Sequence, residues 1–140
     1  MTNHPNAERV HALFKAFHEG DIETVQAALA DDVVWHFPGR DGQLAGSHRG
    51  QAAVFEFLAL VPGLTGGTFH LDLEDVVAGD ELAVAFFRGH GTRAEDSRGD
   101  GSPPRTLDNP TCLKIRMKDG KAVELWEFVW DLYAVDSFWS

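Results

Sequence analysis

The chain of 140 residues is poor in cysteine and tyrosine, with one residue of each. A lone thiol, that of Cys112, cannot form an internal disulfide, which favours a reducing compartment. The sequence also lacks an apolar run long enough to cross a membrane, and its first residues, MTNHPNAERV, lack the apolar core of a signal peptide. We therefore expect a cytoplasmic protein that makes no contact with a membrane.

Basic residues are scarce as well. Lys and Arg total 12 against 22 Asp and Glu, so the formal net charge is -10. No basic stripe is present, which makes nucleic acid a poor partner. The seven histidines are scattered and show no spacing typical of metal ligands. We expect neither a nucleic-acid partner nor a bound metal.

Apolar residues, by contrast, are abundant. Ten Phe and four Trp contribute to a hydrophobic fraction of 44%, enough to fill a core and to line an apolar cavity. No internal repeat or linker divides the chain. The composition therefore predicts one globular domain over residues 1–140.

Helical periodicity dominates the first half of the chain. Apolar residues recur at helical spacing over residues 6–19, and Gly20 ends that pattern. Asp21 is placed to cap a second, short helix. A third helix follows the Gly-rich loop of residues 38–50, and Pro62 with Gly63 is expected to end it.

The second half of the chain has the alternation of strands. The segment DVVWHF predicts an early strand, and a final helical turn is expected in DLYAVDSFWS, with Asp131 as its cap and Phe138 and Trp139 packed inside. The remaining predicted elements are a strand from residue 69, a turn at 78–81, a strand at 82–92, a polar loop at 93–104, a strand at 105–117 interrupted by Pro110, a turn at 118–120 and a last strand at 121–131. This order predicts an α+β domain with helices on one face of a curved, mostly antiparallel sheet.

Four segments resemble the SnoaL-like proteins: EGD, ADDVVWHFPG, LAGSHRGQAAVFEFL and KDGKAVELWEF. These proteins share the nuclear-transport-factor-2-like fold with ketosteroid isomerase and small polyketide cyclases. The resemblance implies a cone-shaped sheet wrapped around the helices, with an apolar internal cavity. It leaves the function open, because this fold also carries dehydratases, epoxide hydrolases and binding proteins without catalytic activity.

The isomerase machinery is absent from the matching positions. The resemblance places the general base of the isomerase at Phe37, its tyrosine donor at Leu13 and its acidic donor near Cys112. None of these side chains can perform the corresponding step of steroid isomerisation. We therefore expect no ketosteroid isomerase activity.

The polyketide cyclases offer a closer match. Their proposed acid/base follows a tryptophan in a segment similar to MKDGKAVELWEF, and that position is Glu127 here. A carboxyl on an apolar face is tuned toward acid/base work by burial. The cavity histidine of the cyclases falls on Leu113, so the pair is incomplete. A carboxylate that is solvated or paired with Arg88 is the structural alternative.

Alternation along the last strand predicts which residues face the cavity. Leu125, Glu127 and Val129 share one face, and the resemblance turns that face toward the cavity. The opposite face carries Trp126, Phe128 and Trp130, too apolar to remain in water. We expect this aromatic face to form a homodimer.

His36 is the second candidate catalytic residue, although alternation points it away from Trp35 and Phe37. A bulge beside Pro38 would turn it inward; otherwise it bonds to the backbone or lies near the loop. Arg88 and His90 follow Phe86 on one strand face, where the family often lines its cavity. The predicted ligand-binding residues are Trp35, Phe37, Phe14, Phe57, Phe69, Phe86, Arg88, His90, Leu113, Leu125 and Val129.

Two functions remain open. The first is a cofactor-independent enzyme of the cyclase or isomerase type, acting on a polyketide-like or other cyclic molecule with Glu127 as acid/base. The second is a ligand-binding or sensing module of the same fold without catalysis. A third alternative, a protein-interaction domain, requires a cavity filled by its own aromatic side chains.

Overall fold

The computed structural model describes residues 4–94 and 103–140. Within them the order of elements is α1 (Pro5–Glu19), α2 (Ile22–Ala28), β1 (Leu29–Phe37), β2 (Gly46–Arg49), α3 (Gln51–Thr65), β3 (His70–Ala78), β4 (Leu82–Arg93), β5 (Arg105–Lys118), β6 (Lys121–Val129) and α4 (Leu132–Trp139).

The strands form one open sheet in the order β2-β1-β6-β5-β4-β3. β1 and β6 pair in parallel, and every other pair is antiparallel. α1 and α3 pack on the same face of this sheet, because the Phe14 ring contacts that of Phe87 at 5.2 Å and the Phe57 ring contacts that of Trp35 at 5.5 Å. The predicted α+β class with N-terminal helices is therefore confirmed.

Two predicted caps are confirmed. Asp21 accepts a hydrogen bond from the Thr24 backbone N–H at 3.2 Å at the start of α2. Asp131 accepts one from the Ala134 N–H at 3.1 Å. That cap begins a full helix, α4, rather than the single turn expected, since its aromatic end residues are buried in the core.

Two prolines were wrongly expected to break their elements. α3 continues past Pro62 to Thr65, whose hydroxyl donates to the Val61 carbonyl at 2.7 Å. β5 runs through Pro110, whose carbonyl accepts from the Trp130 N–H at 3.0 Å. Because N and O of a strand residue point to the same side, the N–H missing from Pro110 faces the end of β6, and the ladder to β4 is intact.

Other differences concern element ends and one short strand. The loop predicted over 38–50 contains β2, which pairs with β1. β1 begins at Leu29, and β3 extends to Ala78 with a register shift after Leu73. Of the loop predicted over 93–104, residues 95–102 lie outside the described residues.

α4 is fastened across one end of the sheet. The buried guanidinium of Arg93 donates through Nη1 to the carbonyls of Phe138 at 2.7 Å and Ser140 at 2.9 Å. The Asp136 carboxylate accepts from the backbone N–H groups of residues 40, 41 and 42. These bonds hold α4 against the loop after β1. None of the helices in the described ranges has the length and apolarity needed to cross a membrane.

Candidate functional site

A pocket of about 640 Å³ lies between the inner face of the sheet and the helices. Such a volume is in the range of sites for small organic ligands. The aromatic side chains therefore leave the pocket open, whereas the alternative of a protein-interaction domain requires them to fill it. The walls are mainly aromatic and aliphatic, and the buried or half-buried apolar side chains that line it include Phe14, Phe17, Trp35, Phe37, Phe57, Leu58, Phe69, Leu71, Phe87, Leu107, Leu113, Val129, Val135 and Trp139.

The exposed members of the lining mark the mouth of the pocket. They come from the end of α1, where His18 and Glu19 lie, and from the end of α3 and the start of β3, where Pro62 and His70 lie. No Lys or Arg side chain lines the pocket in the part of the chain that the structure describes. The pocket therefore offers no cation to an anionic ligand.

One carboxyl group, that of Glu127, lies deep in the pocket. Its Oε1 accepts a hydrogen bond from Trp35 Nε1 at 3.1 Å. Glu127 is half-buried and lines the pocket between apolar neighbours on the same strand face. Burial raises the pKa of the Glu127 carboxyl to about 7, against a smaller lowering by the Trp35 hydrogen bond.

Strand pairing fixes this geometry. Leu125 of β6 lies opposite Trp35 of the parallel strand β1, and Glu127 lies opposite Leu113 of β5. Trp35 is the single hydrogen-bond partner of the Glu127 carboxyl among the described residues. A carboxyl with a pKa near 7 is populated in both protonation states at neutral pH, so it can take up or release a proton.

Two buried polar side chains of β5, Asn109 and Thr111, also line the pocket. The Asn109 side chain accepts from the Asp131 N–H at 3.0 Å and donates to the Pro110 carbonyl at 2.9 Å. Neither residue was among the predicted ligand-binding residues. Their signal was available: they lie two residues apart between the inward-facing Leu107 and Leu113 of the same strand, and residues at every second position share one face.

The structure brings most of the predicted ligand-binding residues to the pocket. Those that line it are Phe14, Trp35, Phe37, Phe57, Phe69, Leu113 and Val129. Leu125 points inward as expected, but it is fully buried in the core and does not line the pocket. Whether these side chains bind a ligand stays a prediction.

The predicted face of β4 is wrong. Phe86, Arg88 and His90 lie on the outer face of the sheet, and the intervening Phe87 and Gly89 line the pocket instead. Arg88 Nη1 contacts Asp108 Oδ1 at 3.0 Å, and His90 Nε2 contacts Asp72 Oδ2 at 2.8 Å. On this face the charged side chains stay hydrated, and the cost of burying them determines which residues of β4 point outward.

The alternative in which Arg88 pairs with Glu127 is therefore wrong as well. The prediction that His36 contributes to the pocket is also wrong. No bulge turns His36 inward. Its Nε2 lies 2.6 Å from Glu124 Oε2 and its Nδ1 lies 2.7 Å from Ser47 Oγ, both on the outer face. The ring also stacks on Trp126. The two predicted catalytic residues thus lie on opposite sides of the sheet.

Of the aromatic residues predicted to form a homodimer, Trp126 and Phe128 lie on the outer face and Trp130 follows the end of β6. Phe128 is 57% exposed and Trp130 is 84% exposed. No group of three or more His, Cys, Asp or Glu side chains within residues 4–94 and 103–140 is arranged to hold a metal ion.

Comparison with known proteins gives the family. The model of the SnoaL-like domain matches residues 10–125. A search of curated proteins finds no match. Among solved structures, Bal32a from a soil-derived mobile gene cassette is 32% identical over 97% of each chain, with a TM-score of 0.86. An NTF2-like protein from Burkholderia xenovorans shares the fold.

Two further structures resemble the chain. TerC, co-crystallised with polyporic acid, is 27% identical over 96% of this chain and 98% of its own, with a TM-score of 0.78. IdmH from Streptomyces antibioticus, a candidate polyketide cyclase, is 21% identical over 94% and 96%, with a TM-score of 0.74. The predicted resemblance is confirmed: this chain belongs to the SnoaL-like domain family and has the NTF2-like fold.

Proposed function

We propose that the protein is a cofactor-independent acid–base enzyme acting on a small, uncharged, hydrophobic cyclic molecule. The observation that carries the proposal is Glu127, whose carboxyl lies deep in a mainly apolar pocket, accepts a hydrogen bond from Trp35 and has a pKa of about 7. Apolar walls bind and orient the molecule, and Glu127 takes a proton from carbon next to a carbonyl or returns one to it.

The relatives support the hydrophobic, cyclic character of the ligand. TerC was crystallised with polyporic acid, and IdmH is described as a candidate polyketide cyclase. Polyketide-like ring systems are flat and apolar with a few oxygen atoms, which suits walls of this composition. The absence of lysine and arginine from the described lining favours ligands without charge.

The test follows proton exchange next to the carbonyl of 2-tetralone in D₂O by NMR. The wild type is expected to accelerate exchange, with a rate that rises as Glu127 ionises around pH 7. Glu127→Gln keeps the shape of the side chain and is expected to lower the rate roughly 100-fold or more. Asp108→Asn, which removes a carboxylate from the outer face, is the matched control and should leave the rate unchanged.

A second pair of variants ties the reaction to the pocket. Val129→Trp fills the space beside Glu127 and should abolish exchange, whereas Phe86→Trp adds an indole to the outer face and should not. Exchange at the wild-type rate in Glu127→Gln would contradict the proposed acid/base.

Ligand binding without catalysis is the second candidate function. It is favoured by the lack of any second ionisable group beside Glu127 in the described residues, since cyclase and isomerase sites use more than one polar group. The same NMR samples distinguish the two functions. Binding without catalysis would give line broadening of 2-tetralone that disappears in Val129→Trp, together with proton exchange no faster than in buffer.

We also propose that the outer face forms a homodimer. Phe128 and Trp130, two residues apart in the sequence, expose large apolar surfaces, and such surfaces are typical of interfaces. Light scattering should give a dimer for the wild type and a monomer for the Phe128→Ser/Trp130→Ser double variant. A monomeric wild type would contradict this interface.

A further inference from the structure

A second cluster of reactive side chains lies on the outer face of the sheet, separate from the pocket. Ser47 Oγ is 2.7 Å from His36 Nδ1, and Glu124 Oε2 is 2.6 Å from His36 Nε2. A hydroxyl, an imidazole and a carboxylate thus form one continuous hydrogen-bonded row. Nothing in the proposed chemistry of the pocket uses these three groups.

Strand pairing holds the row in place. His36 of β1 lies directly opposite Ser47 of β2 and, on its other side, opposite Trp126 of β6. Glu124 precedes Trp126 by two residues and so shares its face. The imidazole stacks on the Trp126 indole, with ring centres 5.6 Å apart and planes 22° apart. The ring is therefore positioned by backbone and by stacking, independently of its hydrogen bonds.

The charges of the neighbours fix the direction of the hydrogen bonds. The Glu124 carboxylate is held ionised, because the His36 hydrogen bond and the nearby Arg116 lower its pKa; Arg116 Nη2 is 3.5 Å from Oε1. An ionised carboxylate only accepts, so His36 Nε2 carries the proton. In the neutral imidazole Nδ1 then has a free lone pair, and the Ser47 hydroxyl donates to it.

This is the arrangement that activates a serine. The imidazole removes the hydroxyl proton as oxygen attacks a carbonyl, and the carboxylate stabilises the imidazolium that forms. Ser47 is exposed and lies two strands away from β6, which carries Phe128 of the proposed dimer interface, so an acyl donor can reach it. It also lies on β2, an edge strand, and edge strands turn part of their backbone N–H groups outward, where they can donate to an oxyanion.

We propose that Ser47 is a nucleophile that accepts the acyl group of small activated carboxylic esters. Ser47 Oγ forms a bond to the ester carbonyl carbon and passes its proton to His36 Nδ1. The carbon–oxygen bond to the leaving group then breaks, and the leaving group departs with the proton. Water, activated by the same imidazole, hydrolyses the acyl-serine and regenerates the hydroxyl.

The experiment uses p-nitrophenyl acetate with the full chain, following release of p-nitrophenol and mapping the acetyl group by peptide mass spectrometry. The expected result is acetylation at Ser47 that is lost in Ser47→Ala. His36→Gln removes the base and should slow acylation roughly 100-fold or more. Glu124→Gln should also slow it markedly, because the imidazolium loses its counter-charge.

Ser137→Ala is the matched control. Ser137 is an exposed serine of α4 whose hydroxyl contacts no histidine in the described residues. This variant should be acylated at the wild-type rate. Ser47→Cys serves as a rescue, since its thiol should be acylated in a reaction that still depends on His36, which a purely structural role would not produce.

Two results would overturn the proposal. One is acetylation confined to lysines or to other serines. The other is acylation of Ser47 at equal rates in the wild type and in His36→Gln. Far-UV circular dichroism and urea unfolding serve as the measure of folding for each variant, so this test does not depend on what the pocket binds.

Discussion

Glu127 and Glu124 lie three residues apart on β6, and the sheet separates them. Glu127 faces the apolar pocket, where burial raises its pKa to about 7. Glu124 faces the opposite side, where the His36 hydrogen bond lowers its pKa. The pKa values of two glutamates on the same strand are thus shifted in opposite directions, because the two faces of the sheet provide different environments.

Their partners show the same division. Trp35 and His36 are consecutive residues of β1, and each reaches the glutamate on its own side of the sheet. Strand residues alternate between the two faces, so adjacent residues of β1 point to opposite sides of the sheet, as do Glu124 and Glu127 of β6. A neutral donor faces the apolar side, and an ionisable one faces water. One strand pair therefore supports two separate chemistries.

The largest effect expected from this contrast is a change in the free energy of unfolding in the Glu127→Gln variant. The folded-state pKa near 7 lies above the unfolded value of 4.5, so the folded chain keeps its proton while the unfolded chain ionises. Stability is therefore lost as pH rises between these values, by about 3 kcal/mol in all. The variant lacks this loss, so we expect it to be more stable by about 3 kcal/mol at pH 8 and by less than about 1 kcal/mol at pH 5.

Urea unfolding at both pH values measures the difference, and comparison with the wild type cancels groups that titrate in both chains. Asp108→Asn is the control from the outer face. Its carboxylate is well exposed beside Arg88, so its loss should cost less than about 1 kcal/mol at either pH. A Glu127→Gln effect that does not depend on pH would mean that Glu127 is not desolvated.

A smaller effect is expected where the inner face is most crowded. A Cβ added at Gly91 would lie 2.9 Å from Phe69 Cδ2 and 3.0 Å from Phe69 Cα. Gly91→Ala should therefore displace Phe69 and destabilise the fold by about 1 to 3 kcal/mol.

Gly63→Ala is the opposite case, since nothing lies within 4 Å of the added Cβ in α3. It should stabilise the chain by about 0.5 to 1 kcal/mol. Thermal unfolding of both variants gives the comparison, and equal shifts of the same sign would contradict the packing of Phe69 over β4.

These glycines also explain one error of the sequence analysis. β4 has apolar residues at both parities, so its apolar residues alone did not determine which face is buried. The informative residues are Gly89 and Gly91, which make room for Phe69 on the inner face. Arg88 has the opposite parity, and its charged side chain points to solvent on the outer face. On β6 the alternation and the family resemblance agreed, and Glu127 was correctly placed inward.

The helices, the long strands and two caps could be predicted from periodicity and polar side chains. β2 could not, because a strand of sequence GSHR has no apolar alternation and is defined by its pairing with β1. The ends of elements beside Pro62 and Pro110 also depend on partners distant in sequence. The Ser47–His36–Glu124 row was missed for the same reason, since it requires three strands to be in register.

The parallel pairing of β1 with β6 has a consequence for how the chain folds. β1 is made early in the sequence, but its partner is the last strand, and the bond between Trp35 and Glu127 spans 92 residues. Contacts between distant segments form late and slow the search for the native state. We expect the change in Trp35 fluorescence on docking beside Glu127 to report the final step of folding, after the β3–β5 meander has assembled. Until then one edge of β1 stays open, which is the period in which a newly made chain is most exposed to aggregation.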